Sequence, residues 1–296
     1  MKEIVVISGK GGTGKTSITA SFAVLGGKDI VVADCDVDAA DMHLLMQPDF
    51  NICEDFYSGE VAVIDQHDCI QCGECAKVCR FDAIPVKSRM YSIDNLSCEG
   101  CGYCARVCPT EAIVNEKRLA GKYFVSKIKS GSFLVHARLD PGADNSGKLV
   151  AKVKNGAREM ALEQRKELIL VDGPPGIGCP VVSSLSGAHY VVLVTEPTIS
   201  GLHDLMRVYE LVGKFGLRSG CIINKADINT EKTREVIQFL KDRGIEHIAS
   251  IPYNERFTEA MVEGLTIVEY DQGILRETLT GSWNKIKQLA KNINTL

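Results

Sequence analysis

The sequence predicts an α/β protein, a doubly wound and mostly parallel sheet with a small α+β module inserted into it. Three observations carry this. The chain opens with an unbroken apolar, β-branched run, a glycine-rich loop and then a helix, the start of a βαβ unit. The same alternation of short apolar runs with longer helical stretches returns after residue 168. Between the two, eight of the chain's twelve cysteines fall from Cys69 to Cys108, where long periodic segments are missing.

Taken in order, the first strand is Glu3–Ser8 and the loop is Gly9–Gly14. A helix over Lys15–Leu25 stops at Gly26-Gly27. A second strand, Ile30–Ala33, runs into Asp34-Cys35-Asp36-Val37-Asp38, and the α/β rhythm stops around Phe56–Glu60. After Glu116, Tyr123–Ile128, Phe133–Leu139 and Leu149–Val153 read as strands broken by Pro-Gly and Ser-Gly turns. Strands follow at Leu168–Val171, Tyr190–Val194, Gly220–Ile223 and His247–Ile251, and helices at Leu202–Phe215, Glu231–Arg243 and Trp283–Asn294. Residues 1–60 and 117–296 are therefore expected to be two parts of one α/β domain, with 61–116 as the insert.

Composition narrows the function classes. Hydrophobic residues make up 45% and charged residues 24%, an ordinary globular balance. A net charge of −4 from 34 basic and 38 acidic side chains gives no case for nucleic-acid binding. The apolar runs fall well short of the ~18 residues a membrane helix needs, and the N-terminal one is too short for a secretory signal. No stable membrane insertion and a cytoplasmic location are expected. Cysteines clustered in such a chain point to metal or redox chemistry before disulfides.

Gly9-Lys10-Gly11-Gly12-Thr13-Gly14-Lys15-Thr16 matches G-x-x-x-x-G-K-[ST] between a strand and a helix, the context a phosphate-binding loop requires. Glycines let successive backbone N–H groups close on phosphate oxygens, and the helix N-terminus adds positive potential. Lys15 is expected at the β/γ-phosphates and Thr16 on Mg²⁺. Leu168–Asp172 is an apolar strand ending in a carboxylate, followed by Gly-Pro-Pro-Gly176, and a carboxylate there faces the ligand crevice of a doubly wound sheet.

The deviant loop Lys10-Gly-Gly-Thr-Gly-Lys-Thr16 resembles that of the MinD/Mrp/ParA-type ATPases, relatives of the nitrogenase iron protein. The resemblance implies an ATP-dependent homodimer in which Lys10 reaches the partner's phosphates and neutralises charge in phosphoryl transfer. It implies that Asp172 holds Mg²⁺ through water and that Gly173–Gly178 senses the γ-phosphate. It implies that Asp34-Cys35-Asp36 forms the other switch, with Asp36 positioning or deprotonating the attacking water. Asp38 and Asp41 remain alternatives, and each of the three could simply cap a helix. Asn224-Lys-Ala-Asp227 resembles the family's base-reading segment, with Asn224 able to donate to and accept from adenine. N-K-x-D is also a guanine-reading pattern, so ATP rests on the family match. Ile251-Pro-Tyr253 resembles the second adenosine-side loop or is a plain strand-end turn.

The cysteines follow one pattern twice, 29 residues apart: Cys69-x₂-Cys72-x₂-Cys75-x₃-Cys79 and Cys98-x₂-Cys101-x₂-Cys104-x₃-Cys108. The match extends to Ala76/Ala105, Val78/Val107 and Ala83-Ile84/Ala112-Ile113, which reads as an internal duplication. This is the bacterial ferredoxin spacing for two [4Fe–4S] clusters, in which the fourth cysteine of each run serves the other cluster. One cluster is expected on Cys69, Cys72, Cys75 and Cys108, the other on Cys98, Cys101, Cys104 and Cys79. Arg80 replaces the proline that follows the run in the second copy, Pro109. The rival is a Cys₄ zinc site, which uses well-separated pairs and fits this spacing poorly.

Cys35, Cys53, Cys179 and Cys221 remain. Cys179 stands near the place of an interface-cluster ligand in the nitrogenase iron protein, but no second cysteine accompanies it between Cys108 and Cys179. The last helix, with Trp283, Ile286, Leu289 and Ile293, packs on the core or touches a membrane as in MinD, and packing is the favoured reading. The whole matches MinD-superfamily ATPases carrying an inserted ferredoxin domain. The expected function is an ATPase whose nucleotide state gates electron transfer through two clusters, with a redox partner. The alternatives are an iron–sulfur or metallocofactor assembly factor serving an apo-metalloprotein, and a MinD/ParA-like positioning ATPase with a redox sensor.

Overall fold

A computed structural model describes residues 1–293. In chain order the elements are β1 (Lys2–Ser8), α1 (Lys15–Gly26), β2 (Ile30–Asp34), α2 (Met42–Met46), β3 (Ile52–Ile64), α3 (Glu74–Val78), β4 (Val86–Lys87), β5 (Met90–Tyr91), α4 (Tyr103–Val107), β6 (Ile113–Lys127) and β7 (Phe133–Leu139). There follow α5 (Ser146–Glu163), β8 (Leu168–Pro175), α6 (Cys179–Leu185), β9 (Tyr190–Thr195), α7 (Ile199–Lys214), β10 (Arg218–Ile223), α8 (Thr230–Asp242), β11 (Glu246–Ser250), α9 (Arg256–Val262), α10 (Ile267–Tyr270) and α11 (Ile274–Lys291). The chain divides into two compact units. The first comprises Met1–Glu54, Tyr123–Arg138 and Ser146–Leu296, the second Asp55–Lys122 and Leu139–Asn145.

The sheet runs β11-β10-β9-β1-β8-β2-β7-β6-β3. Parallel pairing extends from β11 to β7. β1 lies between β9 and β8, and the chain order turns about it, so the carboxyl ends of β1, β8 and β2 open on one crevice. The central strands are buried on both faces, as crossover helices require, and Ile4, Val5, Val6 and Ile7 are fully covered. Helix α11 closes one face. Its Leu275, Leu279, Trp283, Ile286 and Ala290 are buried, and the Trp283 ring stacks on Phe22 of α1 with centroids 5.3 Å apart. Leu289 and Ile293 pack against the same core, so the apolar stripe of the last helix is spent inside the protein. Asn294, the expected end of that helix, lies outside the described residues. Among the described residues no helix is long and apolar enough to cross a membrane.

Two element expectations need correction. Leu149–Val153 is not a strand but part of α5. Leu149, Val153, Ala157 and Ala161 are all buried at four-residue spacing, a helical face that a five-residue window cannot reveal. Around Phe56–Glu60, where the α/β rhythm is expected to stop, β3 runs through with mostly exposed side chains, and the second unit begins at Asp55. Helix α11 begins nine residues before Trp283, through Thr278, Thr280, Gly281 and Ser282, which have poor intrinsic helix preference and are held by the core contact.

The second unit carries the 29-residue duplication in its backbone. Left-handed residues recur as Gln71 and Gly100 (φ 59° and 62°), Gly73 and Gly102 (79° and 69°), and Asp82 and Glu111 (51° and 55°). Cys79 and Cys108, which end α3 and α4, have nearly the same angles, φ −71° with ψ 114° and φ −72° with ψ 115°. The hydrogen bonds are exchanged between copies. Asp65 N–H donates to Ala112 O at 2.7 Å, and Asp94 N–H to Ala83 O at 2.8 Å. Each half thus completes the other, a local two-fold, with α3 packed on α4.

Trp283→Ala should cost about 3–5 kcal/mol through the cavity left against Phe22. Urea unfolding followed by far-ultraviolet circular dichroism checks this as a lowered midpoint with unchanged slope.

Candidate functional site: a phosphate loop and two cysteine-ringed cavities

The loop between β1 and α1 is shaped by close approach. A Cβ on Gly9 would stand 2.5 Å from the Asp204 backbone. Gly14, the residue before α1, has φ 84° and lies directly against the Asn224 amide, so no other residue fits there. Asn224 Nδ2 donates to Thr13 O at 2.9 Å and props the loop from behind. Lys225 Nζ reaches Gly12 O at 3.2 Å.

The centre of the site is Asp172, which is wholly buried at the end of the apolar part of β8. Its Oδ2 accepts from Lys15 Nζ and from Thr16 Oγ1, both at 2.8 Å, and its Oδ1 accepts from Thr19 Oγ1 at 2.8 Å. Three side chains of α1's first turns are thereby tied to one carboxylate. Burial acts to lower the Lys15 pKa, but Asp172 and Asp36 outweigh it and hold the amine above its usual range. Asp36 stands 3.6 Å from Lys15. Its carboxyl is raised to about 6, chiefly by burial, against the pull of Lys15. Asp34 is buried beside Asp172, its partner across the β2–β8 register. Burial and then Asp172 push its carboxyl well above the carboxylate range. Asp34 Oδ1 accepts from Asp36 N–H at 3.1 Å, while Oδ2 has no partner among the described residues.

The structure thus gathers Lys15, Thr16, Asp36 and Asp172 at one point. Asp38 and Asp41 are exposed, and Asp41 makes no capping side-chain bond at the start of α2. Lys10 turns to its own chain. Its Nζ pairs with Glu196 Oε1 at 2.6 Å and bonds Ser200 Oγ at 3.0 Å. Glu196 Oε2 also holds Lys225 at 3.0 Å. Asp227 Oδ1 accepts from Tyr253 N–H at 2.6 Å, which joins the segments 224–227 and 251–253. Sequence reading missed Thr19, Glu196 and the burial of Asp34. The available signal was position alone, since Asp34 and Glu196 lie at carboxyl ends of strands flanking the crevice.

In the second unit the cysteines ring two small cavities. One is lined by Cys69, Cys72, Cys75 and Cys108, the other by Cys98, Cys101, Cys104 and Cys79, so each takes three cysteines from one run and the last of the other. Cys79 Sγ accepts from Ala83 N–H and Cys98 Sγ from Gly100 N–H, both at 3.4 Å. All twelve cysteines are free of disulfides. Among the described residues, no group of three or more His, Cys, Asp or Glu side chains is gathered closely enough to hold a metal ion.

The family model for the CobQ/CobB/MinD/ParA nucleotide binding domain matches residues 4–267. The chain belongs to that family. It is a P-loop ATPase of the MinD/ParA/CobQ type. Among curated relatives, the uncharacterized protein MJ0578 of Methanocaldococcus jannaschii is 39% identical over 230 residues, covering 77% of this chain and 79% of that one. A second protein of that organism, the uncharacterized protein MJ0579, is 27% identical over 277 residues, covering 92% and 93%. Among solved structures, the septum site-determining protein MinD of Pyrococcus horikoshii, complexed with Mg-ADP, superposes with a TM-score of 0.59 at 21% identity, covering 100% of this chain and 99% of that one. The MinD cell division protein of Aquifex aeolicus gives 0.59 at 18%, covering 97% and 98%. These two structural likenesses concern the fold.

Within this MinD/ParA-type site, Asp172→Ala leaves Lys15 buried without its closest partner. It should destabilise the nucleotide-free protein by about 3–5 kcal/mol in urea unfolding. Asp172→Leu combined with Lys15→Met should recover most of that loss.

Proposed function

We propose that this ATPase couples its nucleotide state to electron transfer through two [4Fe–4S] clusters held by the cysteine-rich stretch 61–116, a ferredoxin-like insert. The observation that carries the reading is the pair of cavities, each bordered by the four cysteines that the ferredoxin spacing assigns to one cluster, exchanged fourth cysteine included. A single zinc ion needs its donors at one point. A cubane presents four irons at its corners, so its thiolates stand apart around a space, as these do. Soft thiolates and backbone N–H donors to sulfur suit such a group, and when bound each cluster would supply a one-electron carrier.

At the nucleotide site, Lys15 would bind the β/γ-phosphates and Thr16 would ligate Mg²⁺, with Asp172 beside it. The Pyrococcus MinD bound to Mg-ADP supports this choice of ligand. Asp36, lifted to about 6, is suited to accept a proton from the attacking water near neutral pH. Lys10 would leave Glu196 and reach the phosphates of a second copy, as the family resemblance implies, making the active form a homodimer. Asn224, whose Nδ2 is engaged by Thr13, would offer Oδ1 to adenine. The chain runs from Asp36 through α2 and enters the second unit at Asp55, a short covalent path along which rearrangement at Asp36 can be passed on. The acceptor is a redox protein.

Two measurements test the reading. Anaerobically purified protein should carry about eight irons per chain, and Cys108→Ala about four. The cluster midpoints should differ between Mg·ADP and a non-hydrolysable Mg·ATP analogue. Zinc in place of iron, or identical midpoints in both states, would overturn it, and release of clusters to an apo-protein would favour the assembly role. For hydrolysis, kcat/KM should fall about tenfold per unit below pH 6, because protonated Asp36 cannot accept a proton. Asp36→Asn should abolish that limb and lower kcat by roughly 10²–10⁴-fold.

A further inference from the structure

Lys10 is the loop residue assigned to a second copy's phosphates, yet its amine is engaged within its own chain. Its Nζ pairs with Glu196 Oε1 at 2.6 Å and donates to Ser200 Oγ at 3.0 Å and to Thr198 Oγ1 at 3.4 Å. The other carboxylate oxygen, Oε2, holds Lys225 at 3.0 Å, and Lys225 reaches Gly12 O at 3.2 Å. Two residues of the phosphate loop are thus tied to one side chain, Lys10 directly and Gly12 through Lys225. The Glu196 side chain is only 14% exposed, so solvent screens this network less than an ordinary surface pair. Burial acts to raise the Glu196 pKa, but Lys10 and Lys225 outweigh it and hold the carboxyl below its usual range. The backbone at Lys10 is pinned as well. Ser8 Oγ donates to Lys10 O at 2.8 Å, and Gly9 lies against the backbone of Asp204. Freeing the amine is therefore a side-chain rotation, opposed chiefly by Glu196.

We infer that Glu196 is a latch on Lys10, a carboxylate whose hold on that amine sets how readily two nucleotide-loaded copies pair. This rests on the reading above in which Lys10 serves a second copy. An amine bound to Glu196 cannot at the same time reach a neighbouring chain's phosphates, so only the unlatched fraction is competent to pair. A polyphosphate carries more negative charge than one carboxylate, so a loaded second copy can win the amine where an empty one cannot. Lys225 makes the release tolerable. When Lys10 leaves, Glu196 keeps Lys225, and a partly buried carboxylate is not left without a cation. The two lysines therefore act in opposite senses. Lys10 must let go of Glu196 for pairing, and Lys225 must stay.

The test is sedimentation velocity of the anaerobically purified full-length protein in a saturating non-hydrolysable Mg·ATP analogue, with the dimer dissociation constant as the readout. An ion pair of this kind shifts an equilibrium about two- to fivefold, and a dimer opens two of them, so Glu196→Gln should tighten the dimer by roughly 4–25-fold. A folding defect does not make protein pair more tightly, so this direction is diagnostic. Lys225→Met, which removes the competing cation, should weaken the dimer, and adding Glu196→Gln should erase that weakening. Lys10→Ala should fail to pair. An unchanged or weaker dimer in Glu196→Gln, beside a Lys10→Ala protein that fails to pair, overturns the latch and spares the role of Lys10. Equal weakening by Lys225→Met with and without Glu196→Gln overturns the part given to Lys225. Pairing of Lys10→Ala as tight as the parent's overturns the role of Lys10 and the latch with it.

Discussion

The site hangs on one buried carboxylate. Asp172 has no contact with solvent, and a charge in that position is tolerable only if every lone pair it offers is used. Lys15, Thr16 and Thr19 use them, and in doing so they fix the rotation and depth of α1 against β8. The loop ahead of α1 is then set by its neighbours, with Asp204 behind Gly9 and Asn224 behind Gly14. Strands β1 and β8 and helices α1 and α7 therefore share one registration point. The crevice at the strand ends is shaped before any nucleotide arrives, which is the preorganisation that electrostatic catalysis requires.

A different economy governs the second unit. Its apolar core is small and partly made of the cysteines themselves, with Cys75 and Cys98 among the buried residues. Small units of this kind depend on something besides hydrophobic area. Here part of the answer is repetition. The same turn angles recur 29 residues apart, and hydrogen bonds are traded between the halves rather than kept within each. A half copy would lack both the opposing carbonyls and the fourth cysteine of its cavity.

Much of this was legible from sequence, and the reasons are local. The phosphate loop is a contiguous motif whose flanking strand and helix are periodic, so Lys15 and Thr16 could be assigned without a fold. The cysteine runs are likewise contiguous. Asp172 stands out in the sequence because it ends an apolar strand. What escaped was long-range. Glu196 acquires meaning only through Lys10 and Lys225, which come from 186 residues before it and 29 after it. The proximity of Asp34 to Asp172 is a register fact, set by which strand lies beside β8. Part of α5 reads as a strand because Leu149–Val153 is a short, mostly apolar window with two valines, while its helical period needs residues out to 161.

The stacking of Trp283 on Phe22 has an optical corollary. Trp283 is the only tryptophan in the chain. Its indole lies against α1, the helix whose first residue is Lys15, and its Nε1 has no partner among the described residues. Emission from an indole depends on the polarity and dipoles around it. The protein thus carries a built-in fluorophore in contact with the helix that leads out of the phosphate loop, and its native light reports on that helix without a label.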